Sequence, residues 1–218
     1  MKDENKNHTI STVSRKNLYL AMLATAYKKS DSAYDRGFNR AIITDGYIIG
    51  NDTHVLYAHH DAVYNNYELR NNPVIIPVDT KVLSFLRPKK KTDCPTCIID
   101  RTEITRNDKT FIQIKLSLDT ENQVHFIVYN SKDNSNFCRG VESLESLITT
   151  GDTPHIGIFG CKLLNKVTDI ACKFHEGTGY DHLFEILRDS TDTSTYLTPA
   201  MVELDKDTRL IFMPMRKA

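Results

Sequence analysis

The sequence predicts an α+β fold built from repeated strand–helix–strands modules, with helices on one face of antiparallel sheets. Three observations predict it: a spacing that recurs three times, apolar stripes at helical period after each recurrence, and alternating strand patterns after each helix. The recurring stretches begin "ISTVSRKNLYLA" at Ile10, "IIPVDTKVLSFL" at Ile75 and "IGIFGCKLLNKV" at Ile156. In each, the isoleucine is followed by an apolar residue three positions on (Val13, Val78, Phe159) and by a lysine six positions on (Lys16, Lys81, Lys162). A leucine stands eight positions on (Leu18, Leu83, Leu164), and an apolar residue eleven positions on (Ala21, Leu86, Val167). One such match is within reach of chance; three in one register indicate an internal repeat in which a short strand turns directly into a helix.

The first helix shows Leu20, Leu23, Ala24 and Tyr27 at i, i+3, i+4 and i+7, a single face. Pro88 closes the second helix. The third carries Leu163, Val167, Ile170 and Phe174 as its apolar stripe. After the first helix, "AIITDGYIIG" places two apolar runs around Asp45-Gly46, a hairpin signal. After the second, "FIQIKLSL" alternates, with Ile112, Ile114, Leu116 and Leu118 on one side. "VHFIVYN", "YDHLFEIL", "AMVEL" and "RLIFM" complete the strand set. The modules group into a domain over 8–118, holding two of them, and a second, shortened domain over 119–218, where "VESLESLI" is the helix-like stretch of 119–155.

The chain has 218 residues, with 28 Lys+Arg against 28 Asp+Glu. That length supports proper cores, and the zero formal charge excludes a strongly basic tail protein while leaving the sorting of charge over the surface open. The N-terminus shows no signal-peptide core and no apolar run approaches membrane-spanning length. With five cysteines, an odd number, the expectation is a reducing compartment and a cytoplasmic protein with no membrane partner.

Cationic residues gather on the helices. Lys162, Lys166 and Lys173 fall within about 40° of one another around the third helix. Arg87, Lys89, Lys90 and Lys91 end the second, and Lys16, Lys28 and Lys29 bracket the first together with Arg15. A lysine stripe is ordinarily a solvated face. Three helices set side by side would instead make a basic wall suited to a phosphate backbone, bound without sequence preference and sensitively to salt.

The C-terminal "TRLIFMPMRKA" is apolar almost to its last residue. It reads either as a last strand paired into a sheet, or as a strand stopped by Pro214 whose Met213 and Met215 offer an adaptable contact surface.

Here the chain resembles bacterial-type DNA sliding clamps, the beta subunit of the replicative DNA polymerase, in a short version of the kind phages carry. "LIFMPMRKA" is similar to that family's closing strand with its Met-Pro-Met-Arg motif. "IIGNDTHVLYAHH" followed by "NNPVIIPVDTKVLSFL" is similar to its Ala-Thr-Asp-Gly-His-Arg-Leu segment and the strand and helix beyond. On that register Asn51 stands at the Thr, Asp52 at the Asp, Thr53 at the Gly, His54 at the His, Val55 at the Arg and Leu56 at the Leu.

The resemblance implies a clamp fold and a homo-oligomeric ring around double-stranded DNA. It also implies a pocket for short peptides of a DNA polymerase and a clamp loader, lined by Thr53, His54, Val55, Leu56, Ile211, Met213, Pro214 and Met215. It implies no enzyme activity and no cofactor. Val55 in place of Arg and Thr53 in place of Gly depart from the pattern, and three modules fall short of the four that two clamp domains need. The alternative is a monomeric clamp-derived adaptor or inhibitor that keeps the pocket without a ring.

Other chemistry is less well supported. Cys94 and Cys97 form half of a zinc pattern without a second pair. Cys161 and Cys172 read as buried packing. His59 and His60 are neighbours on a strand and point to opposite faces. There is no GxGxxG, Walker-type or nucleophile-elbow motif.

Overall fold

The computed structural model describes residues 5–31, 33, 38–44, 46–60, 73–88, 95–118, 123–130, 153–154, 159–176, 185–188 and 199–212. Strand β1 (Asn5–Ser14) runs into helix α1 (Arg15–Ala24). Ser14 makes the turn by accepting a hydrogen bond from the Asn17 N–H at 3.3 Å, as a serine N-cap does. Strands β2 (Arg40–Thr44), β3 (Tyr47–Asn51) and β4 (Val55–His60) follow. Strand β5 (Val74–Pro77) then leads into helix α2 (Thr80–Leu86), capped by Asp79, whose Oδ1 accepts from the Lys81 and Val82 N–H groups. Strands β6 (Thr96–Arg106), β7 (Lys109–Leu118) and β8 (Gln123–Asn130) complete this second module.

The two modules exchange their lead strands. β1 pairs antiparallel with β6, in a sheet ordered β1-β6-β7-β8, while β5 pairs antiparallel with β2. Each sheet therefore contains one strand from the other module, which welds the two into one unit.

The third module adds β9 (Thr153–Pro154), α3 (Cys161–His175), β10 (Leu187–Arg188), β11 (Ala200–Asp205) and β12 (Thr208–Phe212). β12 pairs antiparallel with β4, so the larger sheet runs β5-β2-β3-β4-β12-β11-β10-β9. Both sheets take strands from either side of residue 118. The α+β class with antiparallel sheets is thus the observed one, and the helices lie on one face.

Alternation along the strands sorts the core. Val55, Tyr57, Leu210 and Phe212 face the helices, together with Ile112, Ile114, Leu116 and Leu118. Ile42, Ile49, Leu56, Met201 and Ile211 form a smaller cluster on the other side of the larger sheet, against Tyr47. Helix α1 lies directly on β3: a Cβ at Gly50 would stand 1.7 Å from the Ala21 carbonyl oxygen. Only glycine permits that approach.

Buried Arg15 ties the helices end to start. Its Nε donates to the Leu86 carbonyl at 2.9 Å and its guanidinium also reaches the Arg87 carbonyl at 3.0 Å. These are carbonyls that the end of α2 leaves without helical partners.

Some sequence expectations change in detail. α1 stops at Ala24, because Thr25 turns extended and its hydroxyl donates to the Met22 carbonyl at 2.7 Å, so Tyr27 lies beyond the helix. Cys161 and Cys172 are exposed rather than packed inside. They stand eleven residues apart, about 20° from each other around α3 and far from the buried side of Val167, Ile170, Ala171 and Phe174. His59 and His60 do diverge: His59 Nδ1 lies 2.9 Å from the Thr208 hydroxyl, and the His60 ring meets Tyr47 edge-on. "VESLESLI" and Cys94 lie outside the described residues.

Candidate interaction sites on the helical face

Helix α1 packs against α2 on one side and α3 on the other. Among the described residues the side-by-side placement leaves a depression at each end of the α1–α3 seam, lined by six of the expected cationic residues: Lys16, Arg87 and Lys173 at one, Lys28, Lys162 and Lys166 at the other.

At the start of α1 lies a cleft of about 470 Å³, to which Lys16 (α1), Arg87 (just past α2) and Lys173 (α3) all contribute, with Tyr19, Ser84 and Glu176. The Lys16 Nζ sits over the Phe174 ring, 4.6 Å from its centroid, a cation–π geometry. Burial lowers the Lys16 pKa from its ordinary value, against the opposing pull of the Asp205 and Glu176 carboxylates. Burial likewise raises the Tyr19 pKa, with Arg87 and Lys173 working in the opposite direction. Lys173 is paired with Asp169 one turn earlier on α3. Three cations from three helices thus meet in one depression.

At the other end is a cavity of about 710 Å³ between the close of α1, the β3–β4 turn and the start of α3. Leu23, Ala26, Tyr27, Leu163 and Ile170 give it apolar walls; Lys28, Lys162, Lys166, Asp31, Asp52, Asp169 and His54 supply polar groups. The β3–β4 turn is fixed by its own side chains. Asn51 Oδ1 accepts from the Thr53 N–H at 2.7 Å, and Asp52 Oδ1 accepts from the N–H groups of His54 at 2.9 Å and Val55 at 2.8 Å. Thr53 has φ 81°, the left-handed region that favours glycine, at the position where the clamp pattern has glycine.

Lys166 locks this end. Its ammonium donates to the Ala24 carbonyl at 3.0 Å and the Thr25 carbonyl at 3.1 Å, and pairs with Asp52 Oδ2 at 2.6 Å. It therefore satisfies carbonyls at the end of α1 and anchors the turn that carries His54.

Of the residues expected to line a peptide pocket, His54 is exposed and lines the cavity. Thr53 shapes the turn beside it. Val55 is buried toward the helices, whereas Leu56 and Ile211 are paired neighbours buried on the opposite sheet face. Met213, Pro214 and Met215 lie outside the described residues, as do Lys89, Lys90 and Lys91. Lys28 and Lys29 are exposed just beyond α1, and Lys28 and Lys162 border the His54 cavity.

Sequence reasoning missed Asp52 and Tyr19 as site-forming groups. The signal for Asp52 was its place three residues before the start of an apolar strand, where a carboxylate can accept from the N–H groups two and three residues on; Tyr19 had no such signal. Among the described residues no group of three His, Cys, Asp or Glu side chains could hold a metal ion, and no helix is long and apolar enough to cross a membrane.

No family model matches the chain, and no curated protein matches it. Among solved structures it is similar to a candidate DNA polymerase III beta subunit from Eubacterium rectale ATCC 33656. The TM-score is 0.41 and the identity 13%, over 99% of this chain and 67% of that one. The likeness is one of fold alone.

Proposed function

We propose that the chain is a DNA sliding clamp or clamp-like processivity factor, acting without covalent chemistry and without a cofactor. It would encircle double-stranded DNA as a homo-oligomeric ring and dock short peptides of a polymerase and a clamp loader in the His54 cavity, in the cytoplasm of a bacterial or phage-infected cell. The observation that carries this reading is the meeting of Lys16, Arg87 and Lys173 from three adjacent helices in one cleft. Sequence-independent backbone binding needs cations on rigid elements facing one way. The Met-Pro-Met-Arg stretch and the Asn51–Leu56 segment give the resemblance its direction.

The contact set is led by Lys16, Arg87 and Lys173, with Lys28, Lys29, Lys89, Lys90, Lys91 and Lys162 around it. Lys166 is assigned a structural task instead, because its ammonium is already held by Asp52 and two carbonyls.

The test is duplex binding by fluorescence anisotropy across a salt series. Reversing Lys16, Arg87 and Lys173 to Glu is expected to weaken binding and to flatten the log–log salt slope by about 3, one per lost phosphate contact. An unchanged slope would remove the DNA face assigned here. Reversing Lys166 is unsuitable for this purpose, since it also breaks the Asp52 contact.

The monomeric adaptor reading stays in play on one observation: the His54 cavity is built by a single copy of the chain. Retention on DNA separates the two. A closed ring stays on nicked circular duplex and escapes when the circle is cut; an adaptor shows no difference between circle and line.

A further inference from the structure

The lysines of the helical face differ in what their ammonium groups touch. Lys166 has Asp52 and two carbonyls, and Lys173 has Asp169. The Lys16 ammonium has no hydrogen bond and no ion pair among the described residues, although the fold half-buries the side chain. What its Nζ meets is the Phe174 ring, 4.6 Å from the centroid. An ammonium placed there gives up hydration and recovers part of it from the ring face. Burial accordingly lowers the Lys16 pKa, against the Asp205 and Glu176 carboxylates, which act the other way. The neutral amine carries the nucleophilic lone pair, and it is more available here than at an exposed lysine.

The surrounding cleft suits one kind of electrophile. Arg87 is exposed, lines the same cleft, and has no side-chain ion pair among the described residues. Lys173 lines it too, sharing its charge with Asp169. Leu20 and Pro88 add apolar surface on which a small acyl group can rest. In an acyl phosphate a single oxygen joins the carbonyl carbon to the phosphate. A phosphate held by Arg87 and Lys173 therefore brings its carbonyl into the cleft that holds the Lys16 amine, and about 470 Å³ accommodates such a molecule whole.

We propose that Lys16 is a self-acylating modification site whose substrates are small acyl phosphates. The neutral amine adds to the carbonyl carbon and forms a carbon–nitrogen bond. The carbon–oxygen bond to phosphate then breaks, its electron pair leaves on the phosphate, and the proton lost from nitrogen ends there as well. The products are an N-acyl-lysine and inorganic phosphate. Acylation takes one of the three cations out of the cleft, which on the DNA reading removes one backbone contact. The chemistry itself rests on the cleft alone.

The test is incubation of the full chain with acetyl phosphate at mildly alkaline pH, with initial acetylation rates read at each lysine by peptide mass spectrometry. Lys16 is expected to react about fivefold or more faster than exposed Lys28 and Lys206. Half-burial alone would slow a lysine, so a Lys16 rate equal to theirs or below it would overturn the proposal. N-hydroxysuccinimidyl acetate, a donor without phosphate, reports the reactivity of the amine by itself. In Arg87→Gln the ratio of the acetyl phosphate rate to the ester rate at Lys16 should fall about threefold, the worth of one exposed charge contact. An unchanged ratio would remove the phosphate cradle and with it the proposal. Arg87 meets Arg15 through its backbone carbonyl, which the substitution leaves in place, and unchanged thermal melting checks the fold. Neither rate involves DNA, so failure here is distinct from failure of the duplex-binding test.

Discussion

The two ends of the α1–α3 seam use the same kind of residue for opposite purposes. At the His54 end, Lys166 gives its charge to three protein acceptors and fixes a turn. At the Lys16 end, Lys16, Arg87 and Lys173 share a cleft with Glu176; Lys173 is paired with Asp169, Asp205 also acts on Lys16, and burial disfavours the Lys16 charge. The first arrangement is locally compensated. The second gathers three cations from separate elements at one cleft, so that a phosphate could meet more than one of them at once. Charge counts along a helix cannot distinguish these cases; the neighbouring carbonyls and carboxylates do.

The largest effect expected from this contrast is at Lys166. Lys166→Met leaves the Asp52 carboxylate without its cation and returns two carbonyls to an incompletely hydrated site. The pair is partly exposed, so the loss falls below that of a fully buried ion pair, at about 2 kcal/mol. Urea denaturation measures it, and a cycle with Asp52→Asn should show the two losses to be non-additive. Lys173→Met, at an exposed one-turn pair, should cost no more than about 0.5 kcal/mol. Equal losses at the two lysines would dissolve the distinction.

A smaller effect is expected in the pH dependence of the Lys16 end. The folded pKa of Lys16 lies below its ordinary 10.5, so in the window between the two the unfolded chain binds more protons than the folded one. Stability contributed by this group therefore rises with pH across that window, as the cost of a buried ammonium disappears. Tyr19 and buried Tyr57 act in the other direction: burial raises both above 10.0, so the folded chain keeps protons the unfolded chain has lost, and stability falls with pH above that value. Lys16→Met should remove the rise and leave the alkaline fall; Tyr57→Phe should reduce the fall. Denaturation midpoints from pH 8 to 11 read both. A rise that persists in Lys16→Met would mean that another group causes it.

Much of the fold was legible because it rests on periodicity. The alternation in "FIQIKLSL" fixed the buried side of β7, and the caps Ser14 and Asp79 stand where strands turn into α1 and α2. The exchange of β1 and β5 between modules was not legible, since pairing partners depend on contacts distant in sequence and each strand looks the same in either sheet. The site was legible in part. His54 reached a cavity, but Val55 and Leu56 are consecutive strand residues and had to face opposite ways. Lys166 fell in the cationic stripe of α3, and nothing in that stripe revealed that the end of α1 and the Asp52 turn would meet it.

The smallest expected effect concerns the turn that Lys166 holds. Thr53 occupies the left-handed region at φ 81°, where a β-branched side chain is strained. The hydrogen bonds that the Asn51 and Asp52 side chains accept from the N–H groups of Thr53, His54 and Val55 impose the geometry. Thr53→Gly relieves the strain but also frees the unfolded chain, and the two effects oppose each other. The net expectation is a gain of about 0.5 kcal/mol, visible as a small rise in Tm with an unchanged urea slope. In Lys166→Met the turn has lost its anchor and can relax the strain without substitution, so the gain from Thr53→Gly should shrink. A gain of the same size in both backgrounds would mean that the local Asx hydrogen bonds hold the turn without help from α3.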